Sequence, residues 1–213
     1  SETIVQKFGG TSLGSVERID AVAEIIKKAS KKNKIAVVVS AMSGETNRLI
    51  DLANSFGNNP DKREFDALVS TGETISSALL SMALHSKGIK ARSFSASQIA
   101  IRTTSSYSKA KILDVDAKKI LDVLENDTIP IITGFQGITE GGDITTLGRG
   151  GSDATAVAIA AQINANRCDI YTDVDGIFTT DPNIVSNAKK LDSITMEEML
   201  ELAGQGAKVM HCL

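Results

Sequence analysis

Apolar residues along this chain follow two alternating rhythms. Short runs rich in β-branched residues, such as Ile4-Val5 and Lys34–Val39, are separated by longer stretches whose apolar positions repeat at helical spacing. That alternation is the signature of parallel strands joined by helical crossovers. The first crossover is the clearest. After the strand around Ile4 and Val5, Ser15 can cap a helix that places Val16, Ile19, Val22, Ala23 and Ile26 on one face. Lys34–Val39 then reads as a buried strand, and further strands are expected at Ala91–Phe94, Ile129–Thr133 and 169–172. Helices are expected over 46–55, 65–86, 116–124 and 152–163. Gly141-Gly142, between the runs 135–138 and 144–146, predicts an inserted hairpin. The expected fold class is an α/β sandwich, with no internal repeat, low-complexity tract or linker.

Composition narrows what such a fold could do. The chain has 213 residues, 42% hydrophobic and 23% charged, enough to bury a substantial core as one large domain or two small ones. Its formal net charge is −3 and its basic residues are scattered, which argues against a nucleic-acid groove or a polybasic membrane patch. Lys27-Lys28 and Lys31-Lys32 read as a solvated helix end and loop. No apolar stretch approaches the roughly 20 residues that span a bilayer, and the N-terminus lacks the regions of a signal peptide. The expectation is a cytoplasmic protein with no membrane or nucleic-acid partner. Cys168 and Cys212 lack a second pair around them, so they read as buried or incidental thiols. His85 and His211 have no neighbours at ligand spacing, and no protein-bound metal site is expected.

Four segments, and the loop after the second strand, could carry chemistry. In the first, Lys7-Phe8-Gly9-Gly10-Thr11-Ser12, paired glycines let main-chain N–H groups approach an anion beside a full positive charge, just before a helix N-terminus. The competing reading is an ordinary glycine turn after an edge strand. After the second strand, Ser40-Ala41-Met42-Ser43-Gly44-Glu45-Thr46 lies at the sheet edge that ligands favour. Ser40 and Thr46 could donate to phosphate or carboxylate oxygens, or Thr46 could cap the next helix. The second segment, Val69-Ser70-Thr71-Gly72-Glu73, places an acid among small residues. Glu73 could bind a substrate ammonium or pair with a lysine on a solvated face.

The third segment, Thr145-Thr146-Leu147-Gly148-Arg149-Gly150-Gly151-Ser152-Asp153, runs from a strand into an alanine-rich helix. An arginine fork between glycines suits a two-point grip on a carboxylate. Helix capping by Ser152 and Asp153 can coexist with binding, and it does not account for Arg149. The fourth, Tyr171-Thr172-Asp173-Val174-Asp175-Gly176-Ile177-Phe178-Thr179-Thr180-Asp181-Pro182, has strand-end carboxylates ahead of a turn. It lacks the closing glutamate of a calcium loop, and Asp-Gly turn chemistry is its structural alternative. Gly9 and Gly14 have Walker A spacing, but Ser15-Val16 follow where Lys and Ser or Thr are needed. Protein-kinase signatures are absent too, so any nucleotide site must be built differently.

In their order and spacing these segments resemble the aspartate kinases of the amino acid kinase superfamily. The resemblance runs through Lys7 to Ser12, Val38-Val39-Ser40-Ala41-Met42, Phe65-Asp66-Ala67-Leu68-Val69-Ser70-Thr71-Gly72-Glu73, Thr146 to Asp153 and Thr172 to Pro182, nearly the whole chain. The Thr-Asp-Val-Asp-Gly segment is shared with glutamate 5-kinase and uridylate kinase. Ser-Thr-Gly-Glu and Gly-Arg-Gly-Gly-Ser-Asp narrow the likeness to aspartate. The resemblance implies a three-layer αβα sandwich with a mainly parallel central sheet, and phosphorylation of the L-aspartate side-chain carboxylate by ATP. The product, 4-phospho-L-aspartate, leads to lysine, threonine and methionine. It implies Lys7, Phe8, Gly9 and Gly10 at the ATP phosphates with Ser40 nearby, and Thr46, Glu73, Arg149, Gly150, Gly151, Ser152 and Asp153 around aspartate. Lys7 and Asp153 would be catalytic, while Thr172, Asp173, Phe178, Asp181, Pro182 and Lys208 would border the nucleotide, with Mg2+ carried by its phosphates. Asn183 stands where the family commonly has arginine, so the resemblance implies one phosphate contact fewer. The family also continues past the segment around Lys208 into further kinase-domain elements and ACT regulatory domains, so 1–213 is expected to be a C-terminally truncated catalytic domain. A homo-oligomer is left open. The alternatives are a related amino acid kinase such as glutamate 5-kinase, or a ligand-binding module without turnover.

The inventory of residues suits that chemistry. A carboxylate acceptor, with a reference pKa near 4, is already an anion at neutral pH and needs no general base. The difficulty is bringing it against an anionic triphosphate: two unit charges at 4 Å repel by about 4 kcal/mol at an effective dielectric constant near 20. Lys7 and oriented amides would offset this electrostatically, with Arg149 facing a carboxylate and Glu73 or Asp153 facing the α-ammonium.

Overall fold

The computed structural model describes residues 1–148 and 151–171, together with the backbone of 193–194. A main sheet is built from β1 (Thr3–Phe8), β2 (Lys34–Val39), β3 (Ala91–Phe94), β6 (Ile129–Thr133), β9 (Arg167–Tyr171) and β10 (Ser193–Ile194), in the order β10-β9-β1-β2-β6-β3. Its pairings are parallel except β9 with β10. β2 is almost wholly apolar because both faces of the sheet are covered. Ile35, Val37 and Val39 join one buried cluster with α1 (Val16–Ser30) and α4 (Thr71–Ser86), through residues such as Ile19, Ile26, Leu80 and Leu84. Ala36 and Val38 point the other way, toward α5 (Ala117–Glu125) and α6 (Gly151–Gln162), through Ile120, Val157, Ile159 and Ala160. The expected α/β sandwich is therefore a three-layer αβα arrangement with a mainly parallel sheet.

Most expected elements are present, with ends set by local chemistry. Ser15 caps α1 by accepting a hydrogen bond from the Arg18 N–H at 3.2 Å. Asp116 does the same for α5 from the Lys119 N–H at 3.3 Å. The single helix expected over 65–86 is two, α3 (Lys62–Val69) and α4, parted at Ser70. α3 starts earlier than expected because Asp61 caps it, accepting from the Glu64 N–H at 3.0 Å. By length and composition Lys62–Ser86 is apolar enough to cross a membrane, contrary to the expectation that no stretch would be; half of its most apolar window is buried within the fold. Such burial marks a core helix of a layered fold. α2 (Glu45–Ala53) matches its expected helix closely.

The expected hairpin exists as β7 (Gln136–Ile138) and β8 (Ile144–Thr146). It belongs to a second, four-stranded sheet that was not expected. β4 (Arg102–Thr103) and β5 (Ile112–Asp114) are too short to show an alternating pattern.

Candidate active site

β1 lies between β2 and β9, and the helices leaving and entering these strands cover opposite faces: α1 leads to β2 on one side, α6 to β9 on the other. Such a divergence opens a crevice at the carboxyl ends of the strands. Strand alternation puts Lys7 on the α6 side. It is 7% exposed, and its ammonium lies 2.8 Å from Oδ1 of Asp153 in the first turn of α6. Among the described residues Oδ1 has no hydrogen bond, so this contact is close in distance but poorly directed. A buried amine needs a countercharge, and the amino end of a helix favours the carboxylate that supplies it.

The turn after β1 differs from a simple run of anion-facing amides. The Gly9 N–H donates to the Tyr171 carbonyl at 3.1 Å, sewing β1 to β9, so this amide is already committed. Among the described residues, the N–H groups of Gly10, Thr11 and Ser12 have no partner, and the buried Ser12 hydroxyl has none either. Gly10 accepts from the Ser43 N–H at 3.0 Å, and a Cβ on it would stand 3.0 Å from the Ala41 carbonyl oxygen. Phe8 is fully buried and its ring stacks on Tyr171 with centroids 4.6 Å apart. Its side chain belongs to the core on the α1 side, so only its backbone reaches the crevice.

Across the turn, the loop after β2 meets the start of α4. Glu73 is 3% exposed, Oε1 accepts from the Ala41 N–H at 3.2 Å, and Oε2 has no partner among the described residues. Burial pushes its carboxyl up to about 8. The solvated face left open for Glu73 by the sequence is thereby excluded. Gly72 permits the approach, since a Cβ there would lie 2.8 Å from the Ala41 Cβ. Gly44, in the left-handed region at φ 84°, is the N-cap of α2 and makes no side-chain cap bond. Thr46, left open as a cap, is therefore inside the helix.

Beside these groups lies an open pocket of about 310 Å3 lined by Gly10, Ser40, Thr46, Glu73, Phe135 and Ser152 among others. Its size falls at the small end of the range for small-molecule sites. Phe135 and Gly134 were not singled out from the sequence. Phe135 is a non-glycine residue at φ 69°, held by a bond from its N–H to the Thr155 hydroxyl at 3.1 Å. A Cβ on Gly134 would lie 2.5 Å from the Ser152 hydroxyl and 2.9 Å from the Val39 carbonyl oxygen. The only available sequence signal was a glycine directly after a strand, and Ser12 was visible as part of the opening motif.

The structure thus gathers Lys7, Gly9, Gly10, Ser40, Thr46, Glu73, Gly151, Ser152 and Asp153 around one crevice. Arg149, Gly150, Thr172, Asp173, Phe178, Asp181, Pro182 and Lys208 lie outside the described residues. Cys168 is a buried thiol whose pKa burial pushes up to about 12, as befits an inert core residue. No group of three His, Cys, Asp or Glu side chains among the described residues could hold a metal ion.

Known proteins resemble this chain in sequence and fold. An aspartate kinase of Stutzerimonas stutzeri is 55% identical over 98% of this chain and 51% of its own length. An aspartokinase of Geobacillus stearothermophilus is 54% identical over the same shares. The chain spans about half the length of the curated relatives it matches. Among solved structures, an aspartate kinase from Synechocystis superposes with a TM-score of 0.70 at 46% identity, covering 98% of this chain and 35% of that one. Aspartokinase III of E. coli, in complex with lysine and aspartate, gives a TM-score of 0.74 at 29% identity, covering 88% of this chain and 53% of that one. The sequence profile described as the amino acid kinase family matches residues 2–212, and on that match the chain belongs to the amino acid kinase family.

Proposed function

We propose that residues 1–213 carry the catalytic domain of an aspartate kinase, which transfers the γ-phosphoryl group of ATP to the side-chain carboxylate of L-aspartate. The observation that carries this reading is a buried carboxyl, Glu73, with one oxygen unpartnered among the described residues, at a small pocket beside the Lys7–Asp153 ion pair. An amino acid offers both complements, an ammonium for Glu73 and carboxylates for the positive side of the site. The relatives named aspartate kinase support the choice of aspartate.

The acceptor carboxylate is ionised at neutral pH, so transfer needs no general base. Its oxygen forms a bond to the γ-phosphorus while the bond to the β-γ bridging oxygen breaks, and the charge on ADP and the acyl phosphate balances without proton transfer. Lys7 and the uncommitted amides of Gly10, Thr11 and Ser12 lower the repulsion between nucleophile and triphosphate. Asp153 orients the Lys7 ammonium from the start of α6, and Arg149 is assigned to a substrate carboxylate. Mg2+ bound to the ATP phosphates would supply further charge neutralisation. Thr172, Asp173, Phe178, Asp181, Pro182 and Lys208 are assigned to the nucleotide.

The test is ADP release by the purified chain with aspartate, with glutamate and with neither, alongside trapping of the acyl phosphate by hydroxylamine. Aspartate-dependent release with a trapped hydroxamate is expected. Preference for glutamate would make the chain a related kinase, and binding of both ligands without ADP would make it a module without turnover.

A further inference from the structure

Asp66 has no exposure, yet its two carboxylate oxygens accept four hydrogen bonds. Oδ2 takes the backbone N–H groups of Ser108 and Thr146, each at 2.8 Å; Oδ1 takes the hydroxyls of the same residues, at 3.1 and 2.9 Å. All this capacity is spent inside the protein, so Asp66 cannot touch a substrate. We propose that Asp66 is a positioning residue for the aspartate end of the site, clamping the strand that leads into Arg149 against the helix pair that leads into Glu73. The inference rests on the aspartate kinase reading for the identity of the ligand.

Three observations converge on this. First, Thr146 ends β8, three residues before Arg149, and the next two residues are fixed as well: Leu147 N–H donates to the Phe135 carbonyl at 2.8 Å and Gly148 N–H to the Ala110 carbonyl at 3.4 Å. Second, Ser108 has a left-handed backbone at φ 67°, a conformation that costs free energy for a non-glycine residue and persists where surrounding bonds enforce it. Asp66 supplies two of those bonds, and the segment they hold carries Ala110, which bridges Leu147. Third, α3 passes through Ser70 directly into α4. Gln136, opposite Thr146 in the hairpin, donates from Nε2 to the Ser70 carbonyl and to the Thr74 hydroxyl, giving the same helix pair a second anchor. Asp66 and Gln136 therefore set how Glu73 on α4 stands relative to the turn that follows β8. A carboxylate is suited to this place because it accepts at both oxygens, whereas an amide would aim N–H groups at a donor.

The test compares wild type with Asp66→Asn and Thr146→Val by steady-state kinetics, thermal melting and amide hydrogen exchange. For Asp66→Asn, KM for aspartate should rise about tenfold or more while KM for ATP stays within about threefold, since misplacement by ~1 Å can cost up to a hundredfold. Exchange should accelerate in a peptide spanning 146–152 and stay unchanged in β1 and β2. Thr146→Val keeps the backbone bond and loses one hydroxyl, so a rise of about threefold is expected; it decides the matter if Asp66→Asn does not fold. A lower melting temperature with KM for aspartate unchanged would overturn the proposal, as would equal rises in both KM values or unaltered exchange across 146–152. If wild type shows no aspartate-dependent ADP release, the aspartate kinase reading fails on its own account, and the exchange measurement alone judges the clamp.

Discussion

Lys7 is a cation that the fold has largely removed from water, and Asp153 is the group that makes its burial tolerable. The carboxylate side chain is 38% exposed, against 9% for the lysine side chain, so the pair presents its negative partner to solvent and keeps its cation inside. The poor hydrogen-bond direction leaves the ammonium able to turn toward a phosphate without breaking a strong bond. Lys7→Ala is expected to lower kcat by about 100- to 1,000-fold, the scale typical of losing one oriented electrostatic group, with KM for aspartate changed by less than about threefold. Lys7→Arg should not restore the rate, because a planar guanidinium fork does not reproduce the compact point charge of a buried ammonium. Steady-state kinetics of both variants check this, and an unchanged kcat for Lys7→Ala would remove Lys7 from the chemistry.

At the scale of elements, the site depends on how closely helix starts approach strand ends. Gly134 lets α6 begin against the end of β6, and Gly72 lets α4 begin against the loop after β2. At position 134 the contacts of a new Cβ would include the Ser152 Cβ at 2.6 Å and a backbone carbonyl, neither of which can swing aside. Gly134→Ala is therefore expected to destabilise the fold by about 1–3 kcal/mol and to move α6, with its Ser152 and Asp153, away from the cavity. Urea unfolding measures the first effect and KM for aspartate the second. Ser152→Gly in the same chain should recover only part of the loss, since the Val39 carbonyl contact remains.

At the scale of the whole molecule, one buried acid makes stability depend on pH. Burial raises the Glu73 carboxyl from 4.5 to about 8 in the folded chain. Between those values the folded state holds a proton that the unfolded state has lost, so stability is full below about pH 4.5 and falls as pH rises through about 8. Glu73→Gln keeps the shape and removes the titration. The loss of unfolding free energy between pH 5.5 and pH 8.5 should be smaller in the variant by on the order of 1–3 kcal/mol, read from urea curves; parallel pH profiles would contradict the burial argument. The same acid predicts that aspartate binding near pH 7 releases a proton, visible by calorimetry in buffers of different ionisation heat. In Glu73→Gln, KM for aspartate should rise and ATP affinity should stay nearly constant.

By itself the sequence determined the layering and most of the residues at the crevice. An apolar β2, the helical spacing of Val22 and Ile26, and glycine-rich turns at strand ends are local signals, and local periodicity reports burial on one face or two. Glu73, Lys7 and Asp153 were readable as charges among small residues. Their states were not. That Glu73 is buried and protonatable, that Lys7 faces Asp153, that Phe8 packs inward and that the Gly9 amide is spent on Tyr171 all depend on residues distant in the chain. The small sheet of β4, β5, β7 and β8 escaped for the same reason: strands of two or three residues have no period of their own and exist because Asp66, Gln136 and the Thr103–Thr145 hydroxyl contact hold them. Desolvation and hydrogen-bond commitment are properties of what surrounds a group in space, and only the tertiary structure supplies those surroundings.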